Sequence, residues 1–160
     1  MRGRISELVI DTNLLVVLVV GGFDESLIDV HKRTRKVYSV DDYRLLKNTV
    51  SGFETILVTP HVLAETSALL NQMGEPKRTA LAAHFAALVQ GLSEAPVSSK
   101  DLVARTEFVA LGLADVGLLE KCESADVALI TADLDLYLEA SKTNPNVLNF
   151  NHLRAAAMYS

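Results

Sequence analysis

Cysteine is nearly absent. Cys122 is the only thiol in 160 residues, so no internal disulfide can brace the chain. The four histidines, His31, His61, His84 and His152, stand far apart without metal-ligand spacing, which argues against a zinc site. Tryptophan is missing altogether. Long apolar runs are missing too: the uninterrupted stretch Leu14 to Val20 is far short of the roughly 20 residues that cross a bilayer. Arg2 and Arg4 precede that stretch in the manner of a signal peptide. However, Asp11, Thr12 and Asn13 interrupt it and no small-residue cleavage site follows, so it reads as core. These absences together predict a cytoplasmic protein in a reducing compartment, with no membrane partner. No repeat, low-complexity tract or interdomain linker is visible.

What is present is a half-apolar chain, 49% hydrophobic, with 20 acidic against 15 basic residues and a net charge of −5. Such a composition folds. The length suits one domain over residues 1–160, burying roughly 70% of the surface its unfolded chain exposes. The acidic balance argues against a nonspecific polyanion binder.

Four short apolar runs stand out: Leu8 to Ile10, Ile56 to Val58, Val127 to Ile130, and Val147-Leu148. None alternates apolar with polar, which suits strands buried on both faces of a parallel sheet. Longer segments with helical spacing separate them. The pattern predicts an α/β fold, a three-layer α/β/α sandwich around a mainly parallel sheet of four to five strands. Helices are expected from Asp11-Thr12-Asn13 to Gly21-Gly22, over His61 to Gln72 behind Pro60, Lys77 to Gln90, Ser98 to Gly112, Ala114 to Cys122, Asp135 to Ser141 and Asn151 to Met158. An extended helical segment around 22–55 is expected to hold one helix near Asp24 to Lys36 and another near Val40 to Val50.

Four acids occupy unusual places. Asp11 follows the first apolar run and Asp133 lies just past the third, at carboxyl ends of strands, where ligands collect in open parallel sheets. Glu65 shares a helical face with Val62 and Leu69, and Asp115 shares one with Leu118 and Leu119, so both project from apolar stripes. Such a carboxylate is costly unless paired or metal-bound. Each acid also has an ordinary reading: Asp11 as a helix cap, Glu65 as partner of a distant basic residue, Asp115 as a helix-dipole charge, Asp133 as a turn residue. Four converging carboxylates would repel one another, and one or two Mg²⁺ or Mn²⁺ ions would relieve this. Two such ions can activate a water and stabilise the leaving oxygen of a phosphodiester.

The motifs Leu8-Val9-Ile10-Asp11-Thr12-Asn13, Thr59-Pro60-His61-Val62-Leu63-Ala64-Glu65, Leu111-Gly112-Leu113-Ala114-Asp115 and Leu129-Ile130-Thr131-Ala132-Asp133 occur in that order. With them the chain resembles the PIN-domain ribonucleases, most of all the small stand-alone members, among them VapC-type toxins. The resemblance runs to about Asn149-Phe150. It implies a metal-dependent endoribonuclease cleaving single-stranded RNA, with Asp11, Glu65, Asp115 and Asp133 as metal ligands and catalytic acids. Asn13 would support the site or orient a water, Thr131 would hydrogen-bond a neighbouring carboxylate, and Asp135 would ligate a second metal or only cap a helix. Expected partners are single-stranded or structured RNA, a second copy in a homodimer and, for the toxin of a toxin–antitoxin pair, a protein antitoxin.

The alternative is a non-catalytic PIN-like module that binds RNA or protein. A haloacid-dehalogenase-type phosphotransferase would want an aspartate where Asn13 stands, and a TOPRIM nuclease a glutamate where Asp11 stands. A phosphate-receiver domain would want an acidic pair near the first strand and a lysine at a later strand end.

The basic run His31-Lys32-Arg33-Thr34-Arg35-Lys36 reads either as a solvated helix face or as a phosphate-contact patch through Lys32, Arg33, Arg35 and Lys36. Tyr38 and Tyr43 are expected to pack rather than to stack on bases. Assigning four of the 20 acids to one site leaves 16 against 15 basic residues, a surplus of −1, so the acidity does not exclude RNA.

Overall fold

The computed structural model describes residues 3–160; Arg2, part of the charged start noted above, lies outside them. Among the described residues, five strands form one sheet: β1 (Glu7–Ile10), β2 (Thr55–Val58), β3 (Ser93–Glu94), β4 (Val127–Thr131) and β5 (Val147–Asn149). All are parallel, in the order β3-β2-β1-β4-β5. Leu8, Val9 and Ile10 have no exposed surface, and every residue of β4 is buried. Successive strand residues face opposite sides, so both faces of the sheet are covered, and the fold is a three-layer α/β/α sandwich. Four of the strands coincide with the apolar runs. The fifth, β3, is two exposed polar residues at the sheet edge, paired to Leu57 and Val58, and has no hydrophobic signature.

The helices are α1 (Thr12–Phe23), α2 (Val40–Val50), α3 (Pro60–Leu70), α4 (Lys77–Val89), α5 (Ser99–Val103), α6 (Phe108–Leu111), α7 (Leu113–Lys121), α8 (Leu134–Ser141) and α9 (Phe150–Met158). Most match the spacing. Asp11, Ser39, Thr59, Asp133 and Asn149 each cap a helix start by accepting a backbone N–H. At Ser39 the cap is reciprocal, because Asp42 accepts from the Ser39 N–H at 2.8 Å.

Three expectations need correction. Gly21-Gly22 does not end α1, which continues to Phe23. Gly21 is inside the helix because a Cβ there would lie 2.2 Å from Cδ2 of Tyr43 on α2. The helix expected over Ser98 to Gly112 is two short helices separated by a turn, and Gly112, at φ +85°, then redirects the chain into α7.

The helix expected over Asp24 to Lys36 is a 3₁₀ turn over Glu25–Asp29 followed by further turns. Side chains take the backbone bonds that an α-helix would use. Asp24 accepts from Ser26 N–H, Thr34 Oγ1 donates to Ile28 O at 2.8 Å, and His31 Nδ1 accepts from Arg33 N–H at 3.1 Å. The other ring nitrogen of the buried His31 therefore carries the proton and donates to Leu70 O at 3.1 Å, stapling the segment to the end of α3. The charges of this segment do not form a helix face.

No helix among the described residues is long and apolar enough to cross a membrane. Tyr38 and Tyr43 are buried in the core with Cys122 and Val16 to Val20, apart from half-buried Leu18.

Candidate functional site

The strand order reverses around β1, whose neighbours β2 and β4 lead the chain to opposite edges of the sheet. At such a switch the loops beyond the carboxyl ends part and leave a crevice. Asp11 lies there as the residue after β1 and the cap of α1. Ile10 pairs with Ile130, so the next residue along each strand, Asp11 and Thr131, stand side by side. Thr131 Oγ1 donates to Asp11 Oδ2 at 2.5 Å, Ala132 N–H donates to the same oxygen at 3.0 Å, and Leu14 N–H donates to Oδ1 at 2.9 Å. Three donors fix the carboxyl plane of a residue only 4% exposed. Burial pushes its pKa above the ordinary aspartate value, the three hydrogen bonds pull against that, and the charge of Asp133 adds to the rise.

Asp133 caps α8, accepting from Leu136 N–H at 3.0 Å through Oδ1, and its own N–H donates to Thr131 Oγ1. Thr131 thus bridges the two strand-end acids. Asp115, in the first turn of α7, is half-buried and has no side-chain hydrogen bond among the described residues. Burial lifts its carboxyl to about 7, and the charges of Asp11, Asp133 and Glu65 all push the same way. Among the described residues, no basic side chain is one of the groups acting on it.

Glu65 corrects an expectation. It is exposed, not core-facing: α3 buries Val62, Thr66 and Leu70. Glu65 is one residue, roughly 100°, around the helix from Thr66, so it flanks the apolar stripe, and its charge is felt at Asp115.

The four acids therefore share an electrostatic neighbourhood, but they do not form a closed cage. Among the described residues, no group of three or more His, Cys, Asp or Glu is drawn together tightly enough to hold a metal ion as placed. The donor chemistry nevertheless fits a hard divalent cation: all the groups are carboxylate oxygens, mutually repelling and without a basic counter-charge. Asn13 is exposed beside the site and makes no side-chain hydrogen bond among the described residues; Asp135 is exposed in the first turn of α8 and does not contribute to the shift at Asp115.

Compared with protein-family models and with curated proteins, the chain matches none.

Two residues without a sequence signal complete the surroundings. Asn151 on α9 donates through Nδ2 to Ala132 O at 3.2 Å, one residue from Asp133. Arg154, one turn on, donates to both oxygens of Asp42 at 3.0 Å, to Val37 O at 2.8 Å and to Asn151 Oδ1 at 3.1 Å. Its guanidinium also lies 5.1 Å from the centre of the Tyr38 ring. Tyr38 is close enough to the acidic site that the Asp11 charge, after burial, helps push its hydroxyl up to about 12. His61, at the start of α3, bonds Ser99 Oγ at 2.8 Å and ties α3 to α5.

Proposed function

We propose that this chain is a PIN-type, metal-dependent endoribonuclease that cleaves single-stranded RNA. The observation that carries the reading is Asp115: a half-buried carboxyl at about 7, crowded by Asp11, Asp133 and Glu65 and relieved by no basic side chain. Proteins do not hold such an array at a strand-end crevice for stability, since it is self-repelling.

Asp11 is oriented in advance by its three donors, and Thr131 couples that orientation to Asp133. Asp115 and Glu65 complete the acidic wall from helices α7 and α3. When bound, one or two Mg²⁺ or Mn²⁺ ions supply the Lewis acidity for in-line hydrolysis of a phosphodiester. The expected products carry 5′ phosphate and 3′ hydroxyl ends. In the same reading the protein is cytoplasmic and a homodimer. As the toxin of a toxin–antitoxin pair, it would take a protein antitoxin as partner.

Incubation of a single-stranded RNA pool with Mn²⁺ tests this, comparing wild type with Asp11→Asn. Cleavage by wild type alone is the expected result; equal cleavage by both would refute the assignment. The second reading, a PIN-like module that binds without cutting, draws on the open spacing of the carboxylates. It differs in predicting RNA or protein binding with no Mn²⁺-dependent cleavage.

A further inference from the structure

Four cations in six residues, Lys32, Arg33, Arg35 and Lys36, are exposed, and none forms a salt bridge with a described carboxylate. Arg44, Arg78, Arg105, Lys142 and Arg154 are each paired, and the other described cations without a salt bridge, Arg4, Lys47, Lys77, Lys100 and Lys121, are scattered along the chain, so the loop is where unpaired positive charge is concentrated. The side-chain bonds of Asp24, His31 and Thr34 hold the segment away from helical form, so its charges are presented on a stapled loop.

That loop forms one wall of a groove of about 770 Å³, with α9 opposite. Arg35 and Lys36 line it on one side, Asn151, Arg154 and Met158 on the other. Two aspartates also line it. Asp42 is neutralised by Arg154, whereas Arg44, 4.0 Å from Asp41, is already bonded to Glu25 through two nitrogens, so Arg35 and Lys36 outweigh Asp41 and the net charge of the lining is positive. Arg35 additionally borders a second hollow of about 440 Å³ that contains Lys32. The two hollows thus meet at one guanidinium. None of the four acids lines the groove, but Asn151 on its wall bonds Ala132 O, and Ala132 N–H bonds Asp11, so the groove ends two hydrogen bonds from the acidic site.

We propose that single-stranded RNA lies along this groove, with its phosphates on the 32–36 loop and its scissile end carried past Asn151 to the acidic crevice. A single strand suits it because the cations line two hollows joined at Arg35, a row that one flexible backbone can follow. Arg154 acts as a positioning residue, locking α9 against residues 37–42 so that the wall stays open. The inference rests on the nuclease reading for what happens at the inner end, while binding itself requires no cleavage.

The test is fluorescence anisotropy of a short, mixed-sequence, labelled single-stranded RNA with the wild-type chain in EDTA, so that no divalent ion contributes. Four phosphate contacts give a log–log salt slope of about −2.8, or a roughly 50-fold loss of affinity from 50 to 200 mM salt. Arg35→Gln/Lys36→Gln should bind roughly 25-fold more weakly at 0.1 M salt, with the slope reduced to about −1.4. Lys47→Gln/Lys142→Gln removes the same charge from outside the groove and should bind as wild type does. Undiminished binding by the loop variant, an equal loss in the control, equal affinity for a duplex, or no binding by wild type would each overturn the proposal.

The two readings fail separately. RNA binding that depends on Arg35 and Lys36 without Mn²⁺-dependent cleavage keeps the groove and removes the nuclease. Mn²⁺-dependent cleavage that requires Asp11 but has an unchanged KM in the loop variant does the reverse.

Discussion

Thr131 donates its hydroxyl hydrogen to Asp11 across 2.5 Å, from a position 120 residues further along the chain. The same oxygen accepts from Asp133 N–H at 3.0 Å, so one hydroxyl serves both strand-end acids. Thr131→Val keeps the shape and removes the bridge, leaving a buried carboxylate oxygen with one donor fewer. The expected cost is about 1–3 kcal/mol at neutral pH by urea unfolding. Thr131→Ser should restore most of it. A valine variant as stable as wild type would mean that the bond contributes nothing net.

Asp115 should make stability depend on pH. An acid whose folded pKa is raised holds its proton more tightly when folded than when unfolded. It therefore contributes stability below the unfolded value near 3.8, and this is lost as pH rises through about 7. Asp11, also raised, adds in the same direction. In EDTA, melting temperature should fall from about pH 4 to about pH 7 through these groups. Asp115→Asn should flatten the profile and raise the melting temperature at neutral pH. A profile unchanged by the substitution would refute the shift.

Cation binding should reverse that loss under the proposed function. Mn²⁺ at 100 times its dissociation constant would stabilise the fold by about 2.7 kcal/mol. Differential scanning fluorimetry at neutral pH should show the rise for wild type, a smaller one for Asp115→Asn, and its removal by EDTA. Equal responses of the two proteins would place the ion elsewhere.

Gly21→Ala should destabilise without touching the site. Its Cβ would meet the Tyr43 ring at 2.2–2.6 Å, near the root of a buried side chain with little room to swing. Overpacking of this kind costs about 1–3 kcal/mol. Chemical denaturation measures it, and a smaller penalty in a Tyr43→Leu background would identify the clash as the cause.

His31→Phe retains bulk but removes the bonds to Leu70 O and Arg33 N–H. Two buried or half-buried backbone groups lose their partner, for about 2 kcal/mol or more. Amide exchange should rise at Arg33, and RNA affinity through the 32–36 loop should fall even though no cation is removed. Unchanged exchange at Arg33 would show that the histidine does not hold the loop.

Most of the architecture was legible because parallel strands covered on both faces are apolar through their central positions. That made β1, β2, β4 and β5 visible as runs; β3, exposed at the edge, carries no such requirement. Helix starts were legible where a cap or a proline marks them, as at Asp11 and Pro60; that Thr59 and Asp133 also cap α3 and α8 is visible only in the structure. The 24–36 segment was misread as helical because its spacing is compatible with a helix. Whether Asp24, His31 and Thr34 bond the backbone locally cannot be judged from spacing. Glu65 was misplaced for a related reason: residues three and four apart share a broad face, and only the packing of Val62, Thr66 and Leu70 shows where the centre of that face lies.

The sequence by itself determined the alternation of strand and helix and put acids just beyond two strand ends, since burial and capping act over a few neighbouring residues. Only the tertiary structure decided that β1 and β4 are neighbours, and hence that Thr131 meets Asp11. It also decided that Asp115 and Glu65 come within electrostatic reach of each other, and that Arg154 reaches back 112 residues to Asp42. Strand order is set by how whole helical layers pack. Charge repulsion among acids so far apart in the chain arises only after that packing has brought them together.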